Sequence, residues 1–138
     1  MIPVLRCEFP DLPDVESRCA LIERIRTKLK AAYQGGELPM KHRLENGVYT
    51  RALFIPKGIC LVGKVHRLAH TFGILKGDIS LLSERGAMRV QAPYWCIGKP
   101  GLKRVGYAHS DTWAFTIHHT NETELEKMED LVYERVTQ

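Results

Sequence analysis

GKVHRLAHTFGILKGD, residues 63–78, sets two histidines four positions apart, just before an aliphatic run that ends in Gly-Asp. On a helix, His66 and His70 would share one face and could seat a metal ion, as in zinc-protease signatures. The segment does not read as a helix, because Gly63, Gly73 and Gly77 interrupt it and its neighbours are rich in Val, Ile and Leu. Each glycine inside a helix costs about 1 kcal/mol relative to alanine. In extended chain, positions 66 and 70 have the same parity and point to one side of a sheet. A bend at residues 67–69 would still let both imidazoles converge on one point.

Outward from this segment the signals are those of short strands. VYTRALFI, ICLVGKV, FGIL, ISLL, AMRVQA, YWCI, RVGYA and TWAFTIHH follow one another between about Glu45 and His119. Turn signals separate several of them: PKG at 56–58, KGD at 76–78, ERG at 84–86, KPG at 99–101 and HSD at 109–111. Eight strands joined by turns, with no crossover helices, predict an all-β antiparallel sandwich or barrel. Alternation in TWAFTIHH puts Trp113, Phe115 and Ile117 on one face and Thr112, Ala114, Thr116 and His118 on the other. Trp113, Phe115 and Tyr94 are expected in the core.

Helical signals flank this zone. Residues 11–34 carry an apolar stripe of Val15, Ile22, Ile25, Leu29 and Ala32, with Asp11 or Asp14 as cap, Pro13 in the first turn and Gly35-Gly36 as stop. Residues 120–138 read as a second helix, with Asn121 and Glu124 as a capping box and Leu125, Met128 and Val132 at helical spacing. The expected organisation is an N-terminal helix and arm over 1–44, a barrel over 45–119 and a C-terminal helix over 120–138.

The length of 138 residues suits one domain, and 44% apolar with 26% charged residues is ordinary for a globular chain. No apolar run approaches a membrane span, and the first residues lack the pattern of a secretory signal. Cys7, Cys19, Cys60 and Cys96 form no CxxC pair, which favours free thiols in a reducing compartment and a cytoplasmic location. The net charge of +4 divides unevenly: residues 122–138 hold six acids and two bases, leaving 18 bases against 10 acids in residues 1–121. Those bases stand singly among the strands, so a nucleic-acid surface is not expected, while a basic pocket for a small anion is.

The residues around His66 and His70 resemble the first motif of the cupin superfamily, small jelly-roll barrels in which two histidines, a glutamate and a closing glycine recur. Gly77 matches the closing glycine, His70 stands at the glutamate position, His66 at the second histidine and Lys64 at the first. KPGLKR resembles the second motif: Pro100 and Gly101 match its turn, and Arg104 stands where a histidine is usual. The resemblance covers about residues 47–119, and the texture of the whole run is similar to small single-domain cupins encoded by bacteriophages and prophages. It implies a jelly-roll (cupin-type) barrel with a helix at each terminus, and a homodimer joined through the terminal helices or an outer strand. It also implies a divalent transition metal (zinc, iron or nickel) on His66 and His70, with His118 or His109 as third ligand.

Lys64 and Arg104, cationic at ligand positions, would hold a small anionic molecule inside the barrel. No residue pattern selects a reaction. A non-catalytic small-molecule binder and a structural or interaction protein of phage origin are the alternatives to a metal-dependent activity. Cys60 shares parity with Lys64 and His66, as an inert buried thiol or a residue of the same cavity.

Overall fold

The structure, a computed structural model, describes residues 4–5, 9, 12–32 and 38–134. Its strands are β1 (Val4–Leu5), β2 (Met40–Glu45), β3 (Val48–Ile55), β4 (Cys60–Val62) and β5 (His70–Lys76), then β6 (Asp78–Ser83), β7 (Gly86–Gln91), β8 (Tyr94–Gly98), β9 (Arg104–Ala108) and β10 (Thr112–His119). They form two antiparallel sheets, ordered β1-β7-β6-β9-β4 and β2-β3-β10-β5-β8. The eight expected strands are all present. β2 was not announced by the pattern, because MKHRLE reads as polar. It is an edge strand whose Lys41, Arg43 and Glu45 face solvent, while Met40, His42 and Leu44 alternate inward.

The sheets close on a core of Ile55, Phe72, Ile74 and Ala114 from the second and Ile79, Leu81, Val90 and Ala108 from the first. Each large side chain buried there contributes about 1.5–3 kcal/mol. The turn between β5 and β6 depends on Gly77, whose φ of +112° is open to glycine and whose absent Cβ would lie 2.4 Å from Thr112 Oγ1. Trp113 and Phe115 are not core residues. The buried side of β10 is Thr112, Ala114 and His118, so its large apolar residues face outward.

Helix α1 (Val15–Ala32) covers the outer face of the first sheet. Asp14 caps it, accepting hydrogen bonds from the Ser17 backbone N–H (2.7 Å) and hydroxyl (2.8 Å), which hold its carboxyl below the usual carboxylate range. Ile22 is fully buried against Leu82 and Val105, flanked by Leu21 and Ile25. Val15, expected in the stripe, is exposed, because the helix meets the sheet further along. The side chains of Leu29 and Ala32 and the Gly35-Gly36 stop lie outside the described residues.

The C-terminal helix is shorter than expected: a 3-10 turn (Leu125–Lys127) runs into α2 (Met128–Val132). The Asn121–Glu124 capping box is not made, and Thr120 Oγ1 instead accepts from the Glu122 backbone N–H at 3.0 Å. The helix stops at Tyr133, which turns extended and bridges to His66. Two backbone bonds of 2.8 Å fasten this pairing, Arg67 N–H to the Val132 carbonyl and Glu134 N–H to that of Val65. Met128, Val132 and Tyr133 thereby bury against Tyr49. Among the described residues no helix is long and apolar enough to cross a membrane, and Cys19, Cys60 and Cys96 are free thiols.

Candidate metal centre

Three elements bring three histidines together. Thr71 of β5 stands opposite Ile117 of β10, so the next inward residues, His70 and His118, are neighbours across the ladder. His66 comes from the segment between β4 and β5, held there by its bridge to Tyr133. All three are buried, at 6%, 4% and 1% exposure for His66, His70 and His118. The His66 and His70 rings stack with centroids 3.8 Å apart, and His118 lies 5.0 and 5.1 Å from them. One ligating nitrogen from each falls within 4.8 Å of the others.

The hydrogen bonds assign the protons. The Leu68 carbonyl can only accept, so His70 Nδ1 donates to it at 3.0 Å, and Nε2 carries the lone pair that accepts from Arg104 Nη1 at 3.3 Å. His66 Nδ1 and His118 Nε2 lie 3.1 Å apart and share one proton. Burial favours neutral rings throughout. Desolvation, with the neighbouring His70, His118 and Arg104, pushes His66 down to about 2. Desolvation and then His70 lower His118 to about 4, and desolvation outweighs the Leu68 bond to lower His70.

This donor set fits a divalent transition metal. Neutral imidazole is the ligating form, and a metal ion can take the place of the proton between His66 and His118. Tetrahedral zinc holds two ligand nitrogens about 3.3 Å apart, close to the spacing already present. The Leu68 carbonyl supplies the outer hydrogen bond that commonly orients a ligating imidazole. Among the buried atoms without a partner are His118 Nδ1, Arg104 Nη2 and Arg51 Nε. An unsatisfied buried polar atom costs about 1–3 kcal/mol, and an anion beside Arg104 would relieve that cost at Nη2.

The other expected site residues separate. Arg104 lies inside, its guanidinium 4.1 Å from the Phe72 ring centroid. Gly98, opposite His70, makes room for it: a Cβ there would lie 2.4 Å from Arg104 Nη2 and 2.6 Å from His70 Nε2. Lys64 is half exposed, 3.8 Å from Glu129 and over the Tyr133 ring. His109 sits on the other sheet, its Nε2 2.7 Å from Ser80 Oγ. Cys60 packs beside Ile22, Leu82 and Val105 on the helix side, away from the histidines, and burial raises its thiol.

Arg51 and Tyr133 were not anticipated. Arg51 Nη1 donates to the Tyr133 hydroxyl at 2.7 Å, and the Tyr133 ring meets His66 edge-on at 4.9 Å. Burial raises the Tyr133 phenol above its ordinary range. The strand pattern held a signal for Arg51, a charge in the inward series Tyr49, Arg51, Leu53, Ile55. Tyr133 carried none. An open groove of about 670 Å³ lies at Gly77, Asp78, Gln91 and Pro93, and none of the three histidines lines it.

No family model and no curated protein sequence matches the chain. Solved structures do. The cupin domain of Cnp3 from Schizosaccharomyces pombe is similar over 74% of this chain and 77% of its own, at 16% identity and a TM-score of 0.52. A cupin 2 domain-containing protein from Halorhodospira halophila matches over 71% and 77%, at 9% identity and a TM-score of 0.52. A structure described as a predicted oxalate decarboxylase from Thermotoga maritima matches over 62% and 82%, at 17% identity and a TM-score of 0.51. At these identities the likeness is one of fold: the two sheets are arranged as in cupin-domain proteins.

Proposed function

We propose that this cupin-fold protein holds one divalent transition metal (zinc, iron or nickel) on His66, His70 and His118, together with a small anion engaged by Arg104. The observation that carries this reading is the cluster of three buried imidazoles with ligand nitrogens within 4.8 Å. Bound there, the metal would act as a Lewis acid toward an oxygen ligand.

The anion follows from charge. Three neutral ligands leave a dication uncompensated, and Arg104 adds a further buried positive charge. Metal ligation by His70 Nε2 releases Arg104 Nη1, which with the unpartnered Nη2 forms a two-pronged donor suited to a carboxylate or other oxyanion. The Arg51–Tyr133 pair adds a hydroxyl beside His66. Lys64, paired with Glu129, is not needed in this arrangement.

A second reading, a non-catalytic binder of the same anion, is favoured by the sealing of the site: each histidine is at most 6% exposed. The narrower resemblance to phage-encoded cupins adds no reaction to either reading. Elemental analysis of protein purified without a histidine tag tests the proposal. One metal per chain is expected, lost in His66→Ala and kept in His42→Ala, whose ring bonds only Tyr49. A native chain that stays metal-free after incubation with zinc, nickel and ferrous iron would refute it.

A further inference from the structure

The second sheet carries a cationic row beside the histidines. His118 and His70 belong to one inward row, with Tyr49 and Gly98 opposite them on β3 and β8. In the next inward row Arg51, Thr116, Phe72 and Cys96 stand side by side on β3, β10, β5 and β8. Arg51 begins this row. Towards its far side Arg104 reaches in from β9 and lays its guanidinium 4.1 Å from the Phe72 ring centroid, with Nη1 3.3 Å from His70 Nε2. Arg51 approaches the centre through Tyr133, to whose hydroxyl it donates at 2.7 Å and whose ring meets His66. Two guanidiniums therefore flank the three imidazoles, one on the His70 side and one on the His66 side.

Neither cation is neutralised by the fold. Among the described residues no ion pair includes Arg51 or Arg104. The Tyr94 phenol and the Cys96 thiol face Arg104, and His42 stands opposite Arg51 on β2. Glu129, on the short helix ahead of Tyr133, is half exposed and pairs with Lys64 at 3.8 Å. Arg51 Nε and Arg104 Nη2 are both buried without an acceptor. One such donor is an exception in a folded chain, and two charged ones around a single centre mark a place for an anionic ligand.

We propose that the ligand of this centre is a short dicarboxylate, one carboxylate held by Arg104 and the other by Arg51 with the Tyr133 hydroxyl; the inference rests on the metal-and-anion reading above. A dication and two guanidiniums together bring four positive charges, and a monoanion would leave three of them unopposed. The placement of the cations selects among dianions. Arg104 is stacked on Phe72 of β5 and Arg51 is tethered to Tyr133, with β3 and β5 two strand spacings, roughly 10 Å, apart. Phosphate gathers its charge on one centre and reaches a single guanidinium. A chain with a carboxylate at each end reaches both. Arg104 offers Nη1 and Nη2 as a two-pronged donor, and Arg51 offers Nε beside the hydroxyl.

Isothermal titration of the metal-loaded chain, its metal counted by elemental analysis, compares succinate, glutarate, butyrate and inorganic phosphate. The better of the two dicarboxylates is expected to bind about thirtyfold more tightly than butyrate or phosphate, the effect of one further charge-assisted contact. Arg51→Met should bring that dicarboxylate down to the affinity of butyrate while leaving butyrate unchanged, a pattern that general unfolding does not produce. Arg104→Met should weaken all four. Arg43→Met, on the solvent side of β2, should alter none. Equal affinities for butyrate and both dicarboxylates in a chain that carries metal would overturn the dicarboxylate and leave the metal-and-anion reading standing. Tightest binding by phosphate would do the same. A chain that holds no metal after incubation with zinc, nickel and ferrous iron would overturn both. These comparisons are made on the wild type, so they decide the matter even where Arg51→Met does not fold.

Discussion

The two ends of the barrel interior are enclosed by the same sheets and differ in what fills them. Along β5 the inward residues run His70, Phe72, Ile74, and along β10, in the opposite sense, His118, Thr116, Ala114. One end is mainly apolar, with Ile55, Ile74, Ile79 and Val90 in one buried cluster. The other gathers three imidazoles, the Arg51 and Arg104 guanidiniums and a phenol. The first end stabilises the fold by removing hydrocarbon from water. The second works against it, since each buried polar group must be desolvated and Arg51 Nε, Arg104 Nη2 and His118 Nδ1 find no partner. A barrel under selection for stability alone would continue the apolar rows to both ends, and the polar end is where the proposed metal and anion would sit.

Acid should expose the contrast most strongly. His66 and His118 remain neutral in the fold down to about 2 and about 4, whereas in the unfolded chain they take up protons near 6.5. Their folded values are depressed, so the unfolded state binds more protons at low pH and stability falls with falling pH. Between about pH 6 and 4.5 the metal-free protein is expected to lose roughly 2 kcal/mol per pH unit from these two groups. Urea titrations across that range measure it, and a flat profile would mean that the polar end is hydrated.

The apolar end should respond to truncation. Ile74→Ala is expected to cost about 2–5 kcal/mol, read from the urea midpoint, while leaving metal stoichiometry at one. Loss of metal in that variant would show that the two ends are not independent. Arg104→Leu gives a smaller effect of opposite sign. Replacing a buried cation with an unpartnered nitrogen by an apolar side chain should stabilise the metal-free protein by about 1–3 kcal/mol at pH 8. The same change should abolish anion-dependent thermal shifts of the metal-loaded protein.

The apolar end was the legible one. VYTRALFI, RVGYA and TWAFTIHH coincide with β3, β9 and β10, because alternation and turn glycines are local signals. Parity paired His66 and His70 in the sequence, but the chain bends at Arg67 and Leu68, and that bend with the His66–Tyr133 bridge brings the rings together. His118 joins them because β10 pairs with β5. The contacts of Tyr133 were not legible, since its pairing with His66 spans more than sixty residues and overrides a helical pattern. The outward placement of Trp113 and Phe115 was missed for a related reason. Alternation gives two faces, and their sizes suggested the wrong one for the core.

The closing pairs also impose an order of events on synthesis. β3 finds its long partner only when β10 emerges, and His66 waits 52 residues for His118. At translation rates of 5–20 residues per second that interval lasts roughly 3–10 seconds. During it a nascent chain carries two of the three clustered histidines, alongside an unpaired strand rich in apolar residues. Capture of the proposed metal would thereby be tied to completion of the barrel, and a truncated product ending before β10 would be released without a cargo site.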